Sequence, residues 1–521
     1  MTKPFTFNIV TPAYFGESQL SLMVLQSYIL SKDRTMDIRL NRFFTEDDTG
    51  NICEKIAGQH PSAACFSLYA WTDKKVKEVC YRLKELDDDI LIIIGGNVPT
   101  FQAKELLETV SCYDIAVIGE GEETLFQLLT AIRKGNRDFS AIDNIAFREN
   151  GSVRVTQRRE NYNIEEQYFP LYLEDSKDVS VIFYETSRGC FNKCRYCAYN
   201  MNFDAQNIVR FYPLEKVEKD LENLFNLPNL KRLDFSDASI VFRAKGKRDR
   251  GLRILRLMNS LNNERKKKNW PLLEIGVDVN LESVDDEILH ELKVMNTFAY
   301  GFGLQTIHPD VHKLSLRGFN EKKFTYYFNR LAEKSGAAVN LELMFGLPGD
   351  TYEKFLDSVE YVISKLKVHF LVCFRFAVLP GSMFRKHQKE FQLHCQDYPP
   401  YYLLSIPTFP PQDLEKAERL SFFIQLIFTL FRGIKKLIEK SNVPRKVDVY
   451  LGITRMISEK YSDFFPPEGL LQGDVYDYVN KLRQSVNTRL RQGMQADMRK
   501  FVNSYQKQQQ MVKHQDQTPE V

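Results

Sequence analysis

The chain has 521 residues, 43% hydrophobic and 27% charged, an ordinary globular composition with length for two or three domains. With 71 basic and 68 acidic residues the net charge is +3, so no general field draws in nucleic acid or a membrane surface. The most apolar stretch, residues 420–431, contains Ser421, Gln425 and Thr429 and is too short to span a bilayer. The N-terminus moves straight into a strand-like run and shows no signal peptide. Nine cysteines, three of them clustered and needing to stay reduced, point to the cytosol.

Residues 6–10 read as a buried strand, followed by a helix over about 18–30. Strands at 37–44, 63–69, 90–94 and 114–118 then alternate with helices at 74–86 and 122–133, predicting a doubly wound, Rossmann-like α/β domain over residues 1–140. Ligands of such sheets bind beyond the carboxyl ends of the strands. Three of those ends are distinctive. One carries Ser67, Tyr69 and Trp71, the next Gly95-Gly96-Asn97, the third Gly119-Glu120-Gly121-Glu122. Glycine there lets backbone approach a ligand closely, and it equally makes a strand-to-helix turn. Residues 142–155 read as a hairpin around Glu149-Asn150-Gly151-Ser152, so 141–178 is assigned as hairpin and linker.

A strand at 179–184 delivers Ser187-Arg188-Gly189-Cys190-Phe191-Asn192-Lys193-Cys194-Arg195-Tyr196-Cys197, with spacing C-x3-C-x2-C. A [4Fe–4S] cube normally takes four cysteine thiolates. Three in one loop leave one iron open, and an open metal position is where a substrate or cofactor binds. A structural zinc site wants four ligands, and no histidine lies between His60 and His290. The spacing, Tyr196 before the third cysteine and the preceding Arg-Gly resemble the radical S-adenosylmethionine (SAM) superfamily. The resemblance implies that Cys190, Cys194 and Cys197 ligate a [4Fe–4S] cluster whose open iron binds SAM, with an electron donor such as flavodoxin or ferredoxin.

Strands at 232–235, 274–279, 299–304, 338–343 and 369–377 alternate with helices at 214–225, 252–263, 282–293, 321–334 and 352–366. With the strand before the cysteines they make six, fitting the partial (β/α)6 barrel of radical SAM cores over residues 179–385. Functional residues of βα barrels lie at C-terminal strand ends. The second strand ends Asp234-Phe235-Ser236-Asp237, where the family holds the SAM amino group; a helix N-cap is the other reading. The third ends Asp278-Val279-Asn280, suited to ribose or carboxylate, or equally to a capped turn. The fourth ends Gly303-Leu304-Gln305-Thr306, like the family's Gly-Leu-Gln-(Ser/Thr), and Gln305 needs a partner if buried. Gly346-Leu347-Pro348-Gly349-Asp350-Thr351 and Leu379-Pro380-Gly381-Ser382 are similar to the family's fifth and sixth strand ends, the former packing beside adenine in relatives.

Upstream, the three N-terminal strand ends resemble the cobalamin-binding domain of cobalamin-dependent radical SAM enzymes. The Asp-x-His-x-x-Gly signature is absent and His60 is the domain's only histidine, a departure common in the methylating branch. After Phe384, Pro399, Pro400, Pro407, Pro410 and Pro411 mark coil. A long helix over 413–440 and helical segments around 447–461 and 475–506 make a helical C-terminal domain, 386–506, with a disordered polar tail at 507–521. The resemblance implies methylation of an unactivated carbon of a natural-product or peptide precursor. Alternatives are radical rearrangement or cyclisation without methyl transfer and, from another class, a cluster- or cobalamin-dependent sensor. No nucleic-acid or membrane partner is expected.

Overall fold

The computed structural model describes residues 3–11, 20–159, 164, 180–199, 209–243, 245–333, 337–462 and 488–515. The N-terminal region forms one seven-stranded sheet from β1 (Phe5–Thr11), β2 (Ile38–Phe44), β3 (Ala63–Ser67), β4 (Leu91–Gly95), β5 (Ile115–Val117), β6 (Ile145–Glu149) and β7 (Ser152–Val155). The order is β2-β1-β3-β4-β5-β6-β7, parallel as far as β5 and antiparallel beyond it.

The apolar runs of β3 and β4 suit strands covered on both faces. The intervening helices are α1 (Leu20–Lys32), α2 (Thr49–Ala57), α3 (Asp73–Leu86), α4 (Asn97–Thr109) and α5 (Glu122–Arg133). Leu22, Ile29, Leu125, Leu128 and Ile132 of α1 and α5 pack on one face. Ile52, Val76, Leu83, Leu106 and Leu107 of α2, α3 and α4 pack on the other. Two of these helices are absent from the sequence reading. α2 is only nine residues long and is started by Asp48, whose side chain accepts from Asn51 N–H. α4 begins in what reads as a Gly-Gly-Asn-Val-Pro turn, yet proline is tolerated in a first helical turn.

The hairpin is not a separate connector. Ile145, Ala146 and Phe147 are buried and pair with β5, covering a sheet edge that would otherwise be open. The N-terminal unit therefore runs to Val155 instead of residue 140. The rest of the expected hairpin-and-linker stretch, from residue 160 to 178, lies outside the described residues except for Ile164.

The second region holds six parallel strands in two sheets of three. β8 (Val181–Tyr184) is followed by a short antiparallel pair, β9 (Ser187–Arg188) and β10 (Arg210–Phe211), then β11 (Arg232–Phe235) and β12 (Glu274–Gly276). β13 (Ala299–Gln305), β14 (Ala338–Phe345) and β15 (Phe370–Arg375) complete the set. The orders are β12-β11-β8 and β13-β14-β15, and a parallel bridge between Asp278 and Gly301 joins the halves. Along β14 the buried Val339, Leu341, Leu343 and Phe345 alternate with Asn340, Glu342 and Met344, which by the two-residue period face the lumen.

Helices Leu214–Phe225, Lys245–Lys267, Asp286–Val294, Glu321–Ala332 and Tyr352–Lys365 wrap this half barrel. Helix Pro411–Thr429 covers β15, with Ser421 Oγ donating to the Cys373 carbonyl at 2.5 Å and Arg375 pairing with Glu418 at 3.1 Å. The short pair β16 (His394–Cys395) and β17 (Leu403–Ser405) lies between. The long helix expected over 413–440 is two helices. Phe431 leaves helical geometry (φ −119°, ψ 45°) as its ring is buried, and Arg432–Lys440 starts afresh.

Helices Lys446–Lys460 and Thr488–Gln515 finish the described chain. The expected disordered tail is therefore corrected over 507–515, where glutamine, lysine and methionine favour continued helix. Residues 475–487 and 516–521 lie outside the described set. Among the described residues no helix is long and apolar enough to cross a membrane.

Candidate functional site

The cysteine loop leaves the barrel at β8 and is held from several sides. Asp237 accepts from Thr186 N at 2.8 Å, Thr186 Oγ1 at 2.7 Å and Ser187 Oγ at 2.5 Å. Arg195 N donates to Ser315 O at 3.0 Å, and Phe384 N to Arg195 O at 2.9 Å. Gly189 adopts φ +98°, the left-handed region that favours glycine. Cys190, Cys194 and Cys197 are partly exposed, whereas the other six cysteines are buried. Tyr199 N–H points at Cys197 Sγ (3.4 Å) and Arg317 Nη1 at Cys194 Sγ (3.6 Å), the type of N–H contact that tunes sulfur ligands of clusters.

Burial raises the Cys190 thiol and pushes Cys197 up to about 11. Metal binding is what draws such thiols into their thiolate form. Among the described residues no three ligating side chains converge on a single ion. Thiolates that each take a different iron of a cube have no need to. Three thiols on one loop with N–H groups directed at two sulfurs fit a [4Fe–4S] cluster.

Below the loop, the lumen collects polar groups from separate strands. Arg317 donates through Nη1 to Tyr196 Oη at 2.9 Å and through Nη2 to the Gly303 carbonyl. Gln305 is buried in a left-handed conformation (φ +72°), and its Oε1 has no partner among the described residues. Glu342 lies opposite Gly303 in register, and Asp278 bridges Gly301. A Cβ at Gly301 would come 3.8 Å from Asp278 Oδ1, whereas at Gly303 the Gln305 side-chain nitrogen already lies 2.5 Å from where a Cβ would be. Burial first, then Glu342, Asp237 and Asp234, push Asp278 up to about 6; burial likewise raises Glu342, with Arg317 opposing. One guanidinium, two carboxyls and an unsatisfied amide suit an α-amino acid and sugar hydroxyls.

The other expected SAM contacts are engaged by the chain. Asp234 pairs with Arg232 at 2.8 Å, and a Cβ at Gly276 would overlap its carboxylate. Asp237 holds Thr186 and Ser187, and burial pushes its carboxyl up to about 6. Asn280 caps the turn Leu281–Ser283 by accepting from Glu282 N at 3.0 Å. Ser236 is exposed, its carbonyl 3.5 Å from Tyr199 Oη. Gly346 (φ +85°) faces Leu403 and Leu414, and Pro348 is buried in the same loop. Tyr196, Asp278 and Gln305 are thus brought together with Arg317 and Glu342, which the sequence reading did not single out. Glu342 carried a signal, a lone carboxylate in an apolar strand; Arg317 carried none.

A cavity of about 350 Å³ opens at the carboxyl ends of the N-terminal strands, around the β1/β3 switch point of the sheet. One wall is Ser67, Tyr69, Gly95, Gly96, Gly119, Glu120, Gly121 and Glu122, and its floor includes Phe7, Leu22, Ile93 and Val117. The opposite wall is Glu185, Arg188, Gly189 and Tyr199 of the cysteine loop. Gly96 sits at φ +105°, where a Cβ would come 3.1 Å from the Leu68 carbonyl. A glycine rim over an apolar floor fits a large ligand approached by backbone, as cobalamin would be. Two residues expected there do not line it. Trp71 stacks on Tyr69 at 5.0 Å and is 55% exposed, and Asn97 keeps a buried Oδ1 without a partner among the described residues. Glu120 and Glu122 are engaged in ion pairs with Arg188 and Arg210.

Residues 184–362 match the Radical SAM superfamily and residues 32–129 the B12 binding domain. An uncharacterized methyltransferase of Pyrococcus horikoshii is 24% identical over 285 residues, 53% of this chain and 59% of that protein. The cobalamin-dependent radical SAM methyltransferase TokK of Streptomyces tokunonensis is 22% identical over 69% of this chain and 53% of its own length. The chain thus spans less than two thirds of either relative. The solved structure of the cobalamin-dependent SAM radical enzyme OxsB, with aqua-cobalamin and SAM bound, shares the fold: TM-score 0.64 and 15% identity over 96% of this chain and 80% of that one. The first domain type implies a [4Fe–4S] cluster and SAM, the second cobalamin. The chain thus carries, in this order, a segment that matches the B12 binding domain and one that matches the Radical SAM superfamily, on a fold shared with OxsB.

Proposed function

We propose that the protein is a cobalamin-dependent radical SAM methyltransferase acting on an unactivated carbon of a small natural-product or peptide precursor. The observation that supports this reading is the shared cavity, with strand-end glycines on one wall and Arg188, Gly189 and Tyr199 of the cysteine loop on the other. When bound, the cluster and SAM supply a hydrogen-abstracting adenosyl radical, and cobalamin supplies the methyl group.

The chain's own residues place these groups. Cys190, Cys194 and Cys197 hold the cluster. Arg317, Asp278, Glu342 and Gln305 orient the amino acid and ribose of SAM. Gly95, Gly96, Gly119 and Gly121 let the N-terminal sheet approach the corrinoid. At the open end of the lumen Met344 lies in register with Phe374, which is 46% exposed, so an apolar portion of substrate has a surface to rest on. A one-electron donor of the flavodoxin or ferredoxin kind completes the system.

The test is metal content after anaerobic purification from cells supplied with cobalamin, followed by incubation with methyl-labelled SAM and a reductant. About four irons and about one cobalt per chain, with label passing to a carbon product, bear the reading out. Iron without cobalt favours rearrangement or cyclisation. Neither metal after reconstitution overturns the reading.

A further inference from the structure

The two walls of the cavity are joined by a buried ion network made by charged residues of the walls themselves. Arg188, two residues before Cys190, reaches Glu122 Oε1 with Nη2 at 2.7 Å and Glu120 Oε1 with Nη1 at 3.2 Å. It also holds Glu185 Oε1 through Nη2 at 2.8 Å and through Nε at 2.9 Å. The carboxylate of Glu120 comes from the loop after β5 in the N-terminal sheet, that of Glu122 from the first residue of α5, and that of Glu185 from the residue after β8. Arg210, paired with Arg188 in the β9–β10 ladder, donates to Glu120 Oε2 at 3.1 Å, and Tyr212 Oη to Glu185 Oε1 at 2.6 Å. The side chains of Arg188, Glu120 and Glu122 are only 13%, 9% and 4% exposed.

Charges so far from water persist only when paired, and breaking one pair strands its partner. A fork of guanidinium donors satisfies three carboxylates at once, which a lysine ammonium does not do with the same geometry. On the barrel side the same segment is anchored by Asp237 through Thr186 and Ser187. Residues 185–188, ending two residues before the first cysteine, are therefore held on one side by Asp237 of the barrel and on the other by Glu120 and Glu122 of the N-terminal domain.

Building on the cobalamin reading above, we propose that Arg188 is the positioning residue that locks the corrinoid wall to the cysteine loop, so that order in one is coupled to order in the other. Substitutions on the N-terminal side of the lock then loosen a loop that belongs to the other domain.

The full-length protein, wild type, Glu122→Gln and Arg188→Lys, is compared in two measurements. In hydrogen–deuterium exchange without cobalamin, both variants should raise exchange across 186–197 by at least about fivefold, leaving the helix Tyr352–Lys365 unchanged. In titration with hydroxocobalamin of cluster-reconstituted protein, both should bind at least about tenfold more weakly at unchanged iron content. Wild-type exchange in both variants overturns the lock, as does wild-type affinity. If wild type itself takes up no cobalamin, the cobalamin reading falls, and the exchange measurement still decides whether the lock exists. A variant that fails to fold is replaced by Glu120→Gln, judged on the same two readouts.

Discussion

At the N-terminal sheet the candidate site is backbone: Gly95, Gly96, Gly119 and Gly121 line the cavity over an apolar floor, and the charged groups there are paired with one another. In the half barrel the site is side chain: Arg317, Asp278, Glu342 and Gln305 gather in the lumen, the Gln305 amide packed where a Cβ at Gly303 would be. A large, largely uncharged ligand is recognised by shape and close approach. A small zwitterion with hydroxyls needs individual charges at fixed positions. The consequence is a difference in tolerance: steric changes damage the first site, loss of charge damages the second.

That contrast can be broken from either side. Arg317→Met removes the donor shared by Tyr196, Cys194 and Gly303. It should cut reductive SAM cleavage by about 10²- to 10³-fold, the scale of losing one preorganised charged donor, while hydroxocobalamin binding stays at the wild-type level. Product formation by chromatography and an absorbance titration read the two quantities. If cobalamin affinity falls equally, the two sites are not separable. Gly96→Ala is the converse. Left-handed backbone and the nearby Leu68 carbonyl should cost about 1–3 kcal/mol, seen as about ten- to hundredfold weaker cobalamin binding, with cluster content unchanged.

The third prediction concerns pH. Asp237 has a folded pKa of about 6 against an ordinary value of 3.8, because it is buried. A raised carboxyl pKa means that the folded state takes up the proton more readily. Its contribution to stability therefore grows as pH falls from above 6 towards 4, and burying the charge opposes folding at higher pH. The shift corresponds to roughly 1–3 kcal/mol. Asp237→Asn should lack this dependence, so chemical denaturation at pH 5 and pH 8 should show the variant gaining on wild type as pH rises. No change in that difference would place the proton elsewhere in the lumen, Asp278 being the next group with a comparable shift.

How far the sequence reached follows the same division. Alternating apolar runs and turn residues marked both α/β regions, because burial on both faces of a parallel sheet imprints itself on contiguous residues. Glycines at strand ends and three cysteines in eight positions are equally local. Short helices such as α2, the attachment of the hairpin to β5 and the break at Phe431 were not legible. Each depends on what packs against the segment, not on its own pattern.

Asp234, Asp237 and Asn280 stand at the right strand ends and look like ligands in sequence. Only the fold shows that Arg232, the Thr186-Ser187 turn and Glu282 N–H occupy them. Arg317 lies 123 residues from Cys194 along the chain and Arg188 lies 66 from Glu122, distances over which no periodicity speaks. The sequence by itself determined the chemistry available: three thiols, a corrinoid-type strand-end pattern and a six-strand barrel. The tertiary structure decided which polar groups are free for a ligand and which hold the protein together, since hydrogen-bond satisfaction of a buried group is settled by neighbours distant in the chain.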